Sequence, residues 1–262
     1  MKIGWIDYLN TLPFDITLTG VKPNLEIELV KGVPSQINEK LKKKEIDIGF
    51  ISSAEYLQNF KDYLIFPELS ISALNKVESV CIFSNEPLEK VKTVYLTKAS
   101  KTSRLLTKIV FKYFLKKDIK YENLEDYTDI ENKTVLLIGD NAIKYKNMFK
   151  YVYDLSAIWY RETNYPFVFA LWCVRKDFFE EEKENVFTFY DSLKKSKEKF
   201  FSNIDFFLEE ANINIDKAYA YKYLKNLDYC LTQEHINSLE LFSSYLKKEG
   251  LIKEIPTFEF IK

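Results

Sequence analysis

The sequence predicts an α/β fold in two lobes with a ligand cleft between them. Three observations carry this. Strand-type and helix-type apolar patterns alternate through the first third of the 262-residue chain, the order expected of parallel strands with right-handed crossovers. The centre, about residues 86–165, carries strands and a helix of its own. After Arg175 the pattern is almost wholly helical. The expected organisation is a discontinuous first lobe, 1–85 and 175–262, which includes the C-terminal helices. Residues 86–174 form an inserted second lobe, and two segments join the lobes around a cleft.

Lys2 to Ile6 is a short apolar run that ends at Asp7, a strand by length. Tyr8 to Pro13 reads as a turn, and Leu25 to Val30 as a second strand. Pro34 suits the start of the helix that follows, where Ile37 and Leu41 form the apolar side. Ile46 to Ile51 is a third strand, and Ser52-Ser53-Ala54-Glu55-Tyr56 opens a helix. In the central region Val80 to Phe83, Val91 to Leu96 and Thr134 to Ile138 are strands. Between the last two, Leu105, Leu106, Ile109, Val110 and Phe114 have amphipathic helical spacing, with hydroxyl residues at the helix start. Phe167 to Val174 is a long apolar strand. Helices are expected over 178–184, 192–210, 216–227 and 233–248, with Gly250 as a stop.

Composition narrows the function classes. Lys+Arg is 38 and Asp+Glu is 39, so there is no basic excess for a nucleic-acid partner. Only Arg104, Arg161 and Arg175 are available for bidentate phosphate contacts. The lone histidine, His235, lies in a helical pattern and is expected to be a surface or structural residue, which removes a Ser-His-Asp triad and a multi-histidine metal site. Cys81, Cys173 and Cys230 are far apart and are expected to be buried free thiols in a reducing compartment. Asp7 interrupts the first apolar run too early for a signal peptide, and the longest charge-free stretch, Thr163 to Val174, is too short for a bilayer. A cytoplasmic protein without membrane, nucleic-acid, metal or cofactor partners is expected. No GxGxxG or P-loop is present, and the oligomeric state stays open.

The chemistry is concentrated at strand ends. Asn10 follows the first strand, Ser52 and Ser53 the third; Ser100, Thr102 and Ser103 follow a central strand, and Gly139 and Asp140 another. In open α/β sheets the ligand crevice lies beyond the carboxyl ends of the strands. Helix starts there offer unpaired N–H groups and partial positive charge. The recurrence points to a cleft for a small carboxylate. On the residues alone, a non-catalytic binding or sensing protein of the same fold and an enzyme both remain open.

Several blocks carry a family resemblance. Tyr8-Leu9-Asn10-Thr11-Leu12-Pro13-Phe14, Gly32-Val33-Pro34-Ser35, Ile51-Ser52-Ser53-Ala54-Glu55-Tyr56, Val77-Glu78-Ser79-Val80, Ser100-Lys101-Thr102-Ser103, Ile138-Gly139-Asp140-Asn141-Ala142 and Pro166-Phe167-Val168-Phe169-Ala170-Leu171-Trp172 occur in that order. Together they resemble the chorismate dehydratase family of the futalosine route to menaquinone, collinear over about residues 1–176. The tail, including Tyr223 to Leu251, is similar with less specific motifs. The resemblance implies a type II periplasmic-binding-protein fold, each lobe a mixed or mostly parallel sheet flanked by helices. It also implies a hydro-lyase that converts chorismate to 3-[(1-carboxyvinyl)oxy]benzoate without a cofactor. By the same resemblance Asn10 and Ser79 are catalytic, and the strand-end residues Ser52, Ser53, Thr102, Ser103, Gly139 and Asp140 are expected to bind substrate. The proton-abstracting group stays open between the substrate's own enolpyruvyl carboxylate, which fits the family, and Glu55, Glu78 or Asp140. Lys101 departs from the family, which often has Arg there. The dihydroxynaphthoate synthases of the same pathway are expected to carry a Ser-Pro-Cys-Pro-Asn-type block near the N-terminus, where this chain has Asp7-Tyr8-Leu9-Asn10-Thr11.

Overall fold

A computed structural model describes all 262 residues. Ten strands run in chain order: β1 (Lys2–Trp5), β2 (Glu28–Lys31), β3 (Ile48–Ser52), β4 (Tyr63–Ala73), β5 (Val80–Ser84), β6 (Thr93–Leu96), β7 (Lys120–Asn123), β8 (Val135–Ile138), β9 (Tyr151–Asp154) and β10 (Phe167–Arg175). They form two five-stranded sheets, of order β2-β1-β3-β10-β4 and β7-β6-β8-β5-β9. The helices are α1 (Pro34–Lys42), α2 (Ser53–Asn59), α3 (Lys101–Ile109), α4 (Gly139–Tyr145), α5 (Leu155–Thr163), α6 (Lys176–Glu181), α7 (Lys183–Ser202), α8 (Ile204–Glu210), α9 (Lys217–Asn226) and α10 (Gln233–Lys248).

Both sheets are mixed by the same device. β1 pairs in parallel with β2 and β3, and β6 with β7 and β8, as the strand–helix alternation requires. The antiparallel pairs all involve β5 or β10. These are the strands that follow the two passages between sheets, and each lies between two strands of the sheet it joins, second from the edge. The passages are residues 74–79, between β4 and β5, and 155–166, between β9 and β10, which contain α5. The expected lobe limits at 85/86 and 174/175 therefore assign β5 and β10 to the wrong sheets. Their apolar runs mark them as strands, but pairing partners distant in sequence decide which sheet each joins.

The core binds the two sheets together. One cluster of 64 buried apolar residues runs through both lobes, and only eight more form a separate cluster in the second. Trp172 on β10 anchors the larger cluster, stacked on Phe50 with centroids 5.0 Å apart and meeting Phe14 and Phe189 edge-on. Each such fully buried ring contributes roughly 1.5–3 kcal/mol. Gly4 is needed here because a Cβ would lie 2.5 Å from Ile46 and 2.7 Å from Ile37, which pack α1 against the sheet.

His235 is structural. It is buried, its Nδ1 accepts the Thr232 N–H at 3.2 Å at the start of α10, and its Nε2 lies 3.3 Å from Asp228. Cys81 and Cys173 are buried thiols, but Cys230 is exposed, which corrects the expectation for that residue. It sits in the connection between α9 and α10, where Asp228 accepts its N–H at 2.8 Å. No helix is long and apolar enough to cross a membrane.

Candidate functional site

Strand ends from both lobes converge on one cavity. Beyond β1 the chain enters a 3-10 turn, Leu9–Phe14. The Thr11 hydroxyl lies 2.7 Å from the carbonyls of both Ile6 and Tyr8 and fixes the turn. Asn10 thereby faces the cavity, and its Oδ1 is buried with no hydrogen-bond partner. A buried amide oxygen left bare costs about 1–3 kcal/mol, so this atom is free to accept a hydrogen bond from whatever fills the cavity. At the end of β3, Asn38 donates to the Ser52 hydroxyl at 2.9 Å and accepts the Ser52 N–H at 3.1 Å. With its oxygen already accepting, Ser52 has its hydrogen available to the cavity.

Ser79 closes the first passage between sheets. Its Oγ accepts from the Tyr223 hydroxyl at 2.7 Å, and its carbonyl accepts the Gly139 N–H at 2.8 Å. Gly139 follows β8 with φ +56°, and a Cβ there would sit 3.0 Å from the Tyr8 ring. Only glycine meets both demands at once. Ser100 caps α3 by accepting the Ser103 N–H at 3.2 Å, and the two hydroxyls lie 3.0 Å apart at the cavity wall.

The cavity, about 60 Å³, exceeds the ~10–15 Å³ that one water needs. Its wall is apolar apart from hydroxyls, the Asn10 amide and backbone, with no Asp, Glu, Lys, Arg or His. Tyr8 is the one titratable side chain in the wall, and its phenol is pushed up to about 12, chiefly by burial and further by Asp140 and Tyr127. It is therefore neutral at physiological pH.

Asn10, Ser79, Ser52, Ser103 and Gly139 share this cavity. Ser53, Thr102 and Asp140, expected to bind substrate, do not line it. Ser53 donates to the Val168 carbonyl at 2.8 Å, and its hydroxyl lies 3.3 Å from that of Thr102. Thr102 also accepts the Ala54 N–H at 2.9 Å. These two side chains join the starts of α2 and α3 across the lobes. Beside them Lys101 pairs with buried Glu55 at 3.1 Å. Asp140 points away into an outer groove and accepts the Leu9 N–H at 3.3 Å, with burial raising its pKa. Sequence reasoning did not single out Tyr8, Phe169 or Tyr223. The first two lie inside the sequence blocks already quoted, but Tyr223 reaches Ser79 from 144 residues away. No three His, Cys, Asp or Glu side chains converge to hold a metal ion.

Two α/β lobes closed on a small cavity at their strand ends define a fold of the periplasmic-binding-protein type. A Candida albicans protein described as having the generic periplasmic-binding-protein fold superposes over all of this chain and 97% of its own, with a TM-score of 0.72 at 13% identity. More narrowly, the chain belongs to the family described as menaquinone biosynthesis, which matches residues 1–248. It is 36% identical over 185 residues to a chorismate dehydratase of Campylobacter jejuni, and 31% identical over 168 residues to one of Thermus thermophilus. These alignments cover 67% and 57% of this chain, and 69% and 62% of the respective relatives.

Proposed function

We propose that the interlobe cavity binds chorismate and eliminates water from it, giving 3-[(1-carboxyvinyl)oxy]benzoate, as a carbon–oxygen hydro-lyase. The observation that carries this is the convergence of Asn10, Ser79 and Gly139, from three separate sequence blocks, on one cavity in a chain similar to chorismate dehydratases. The reaction breaks the C–H bond at the ring carbon bearing the enol ether. The electron pair is delocalised through the diene into the ring carboxylate. Hydroxide then leaves the adjacent carbon and takes up a proton to become water, and the ring becomes aromatic.

The wall supports a particular division of labour. It offers no carboxylate, imidazole or amine as base, and Tyr8 is held protonated. The substrate's enolpyruvyl carboxylate then takes the ring proton. The hydroxyls of Ser52, Ser79 and Ser100, the last already accepting from the Ser103 N–H and hydroxyl, and the Asn10 amide hold the carboxylates and the departing hydroxyl, and the apolar wall excludes water. The lobes part about the passages 74–79 and 155–166 to admit substrate. Two buried free thiols, Cys81 and Cys173, suit a reducing, cytoplasmic compartment.

Incubating the purified protein with chorismate and following mass and ultraviolet spectrum tests the reading. A product lighter by one water, with the enolpyruvyl group retained, is expected. Unchanged chorismate together with a raised melting temperature would instead make this a binding protein.

A further inference from the structure

We propose that Tyr223 is a positioning residue that forces the Ser79 hydroxyl to act as a hydrogen-bond donor toward the substrate. This rests on the reading above and adds to it a residue from α9, outside the blocks that carry the family resemblance most specifically.

Tyr223 is buried, and burial drives its phenol far above the ordinary range, so it keeps its proton. That proton goes to the Ser79 Oγ at 2.7 Å, the one hydrogen bond either hydroxyl makes within the protein. The Ser79 backbone is also committed, its N–H to the Val77 carbonyl at 2.7 Å and its carbonyl to Gly139 at 2.8 Å. The hydrogen of the Ser79 hydroxyl is left without a protein acceptor in a residue that lines the cavity. A serine hydroxyl has one donor and two acceptor positions. With Tyr223 filling an acceptor position, the remaining hydrogen is directed to the ligand, to a carboxylate or to the departing hydroxyl.

The surroundings hold this geometry in place. Glu78 has φ +58°, a left-handed conformation that a non-glycine residue adopts only under constraint. The constraint is the Asp154 carboxylate, which accepts the N–H groups of Val77 at 2.9 Å and Glu78 at 2.7 Å. The same carboxylate caps α5 through Ser156 and Ala157. One turn before Tyr223 on α9, Tyr219 donates to the Glu78 carboxylate at 3.0 Å, and the two tyrosine rings stack with centroids 6.2 Å apart. One face of α9 thus grips two consecutive residues, Glu78 and Ser79, beside the cavity.

The test is a double-mutant cycle on chorismate turnover with Tyr223→Phe, Ser79→Ala and the pair, melting temperatures recorded for each. Tyr223→Phe keeps the ring and removes one neutral hydrogen bond, so kcat is expected to fall about 3- to 10-fold with KM changed less. In the Ser79→Ala background the same substitution is expected to change kcat less than about twofold, because the group it positions is gone. Full wild-type kcat in Tyr223→Phe overturns the proposal, and so does an equal loss in both backgrounds, the mark of a purely structural role. Should Tyr223→Phe fail to fold, 3-fluorotyrosine at 223 replaces it as a stronger donor of the same shape. A change in kcat that vanishes with Ser79→Ala supports the proposal, and an unchanged kcat overturns it. Wild-type protein that leaves chorismate intact sinks the functional reading itself, a result distinct from each of these.

Discussion

Gly139→Ala separates backbone strain from damage to the site, because Gly250 supplies a matched control. Gly139 and Gly250 have φ +56° and +68°, but a Cβ at 139 would press on the Tyr8 ring at 3.0 Å while nothing lies within 4 Å of one at 250. An alanine in the left-handed region costs roughly 1–2 kcal/mol, offset by about 0.4–1 kcal/mol from a less flexible unfolded chain. The net loss of roughly 1 kcal/mol lowers the melting temperature by about 2–4 °C in a protein near this size. Gly250→Ala should show that loss alone, with wild-type turnover. Gly139→Ala should melt lower still and lose about tenfold in kcat/KM, since Tyr8 must shift by a few tenths of an ångström in the cavity wall. Melting curves and initial rates on chorismate for both variants decide the matter. Wild-type kcat/KM in Gly139→Ala would refute the placement of Tyr8 and Gly139 at the reacting centre.

Thr102→Val leaves the Ala54 N–H without its acceptor and should cost about 1–3 kcal/mol, read as a lower urea midpoint; an unchanged midpoint contradicts the interlobe bridge. A thiol reagent should modify one cysteine per native chain, Cys230, and all three after unfolding, counted by mass; rapid modification of Cys81 or Cys173 in the native protein counts against the packing. Lys44 first, with Arg175, holds the Asp177 carboxyl at about 2. A lowered pKa gives stability that is present above the ordinary carboxylate range and fades as pH falls toward 2. The melting temperatures of wild type and Asp177→Asn should therefore differ above pH ~4 and converge near pH ~2; a constant gap across that range refutes the assignment.

The alternating first third and the long helical tail were legible because apolar periodicity is a local signal. β4 was not. Pro67 and Glu68, the latter at φ +61°, interrupt its alternation, and its pairing with β10 slips register twice. β7 and β9 leave no legible pattern because each is only four residues, with little burial. α5 does carry a local signal, Asp154 as N-cap before Leu155, Ile158 and Trp159. For the site, strand-end hydroxyls were identifiable as a set, but which of them face the cavity depends on partners far along the chain. Ser53 and Thr102 look like binding residues until each is seen to occupy the other, 49 residues apart. No local pattern links Tyr223 to Ser79.

The most direct test of the central claim, that water is eliminated in the interlobe cavity, is chorismate turnover by wild type, Asn10→Ala and Ser79→Ala side by side, with melting temperatures alongside. Wild type should convert chorismate to a product lighter by one water, and both variants should lose most of their kcat at near wild-type melting temperatures. Variants that convert chorismate as fast as wild type would place the chemistry elsewhere in the molecule.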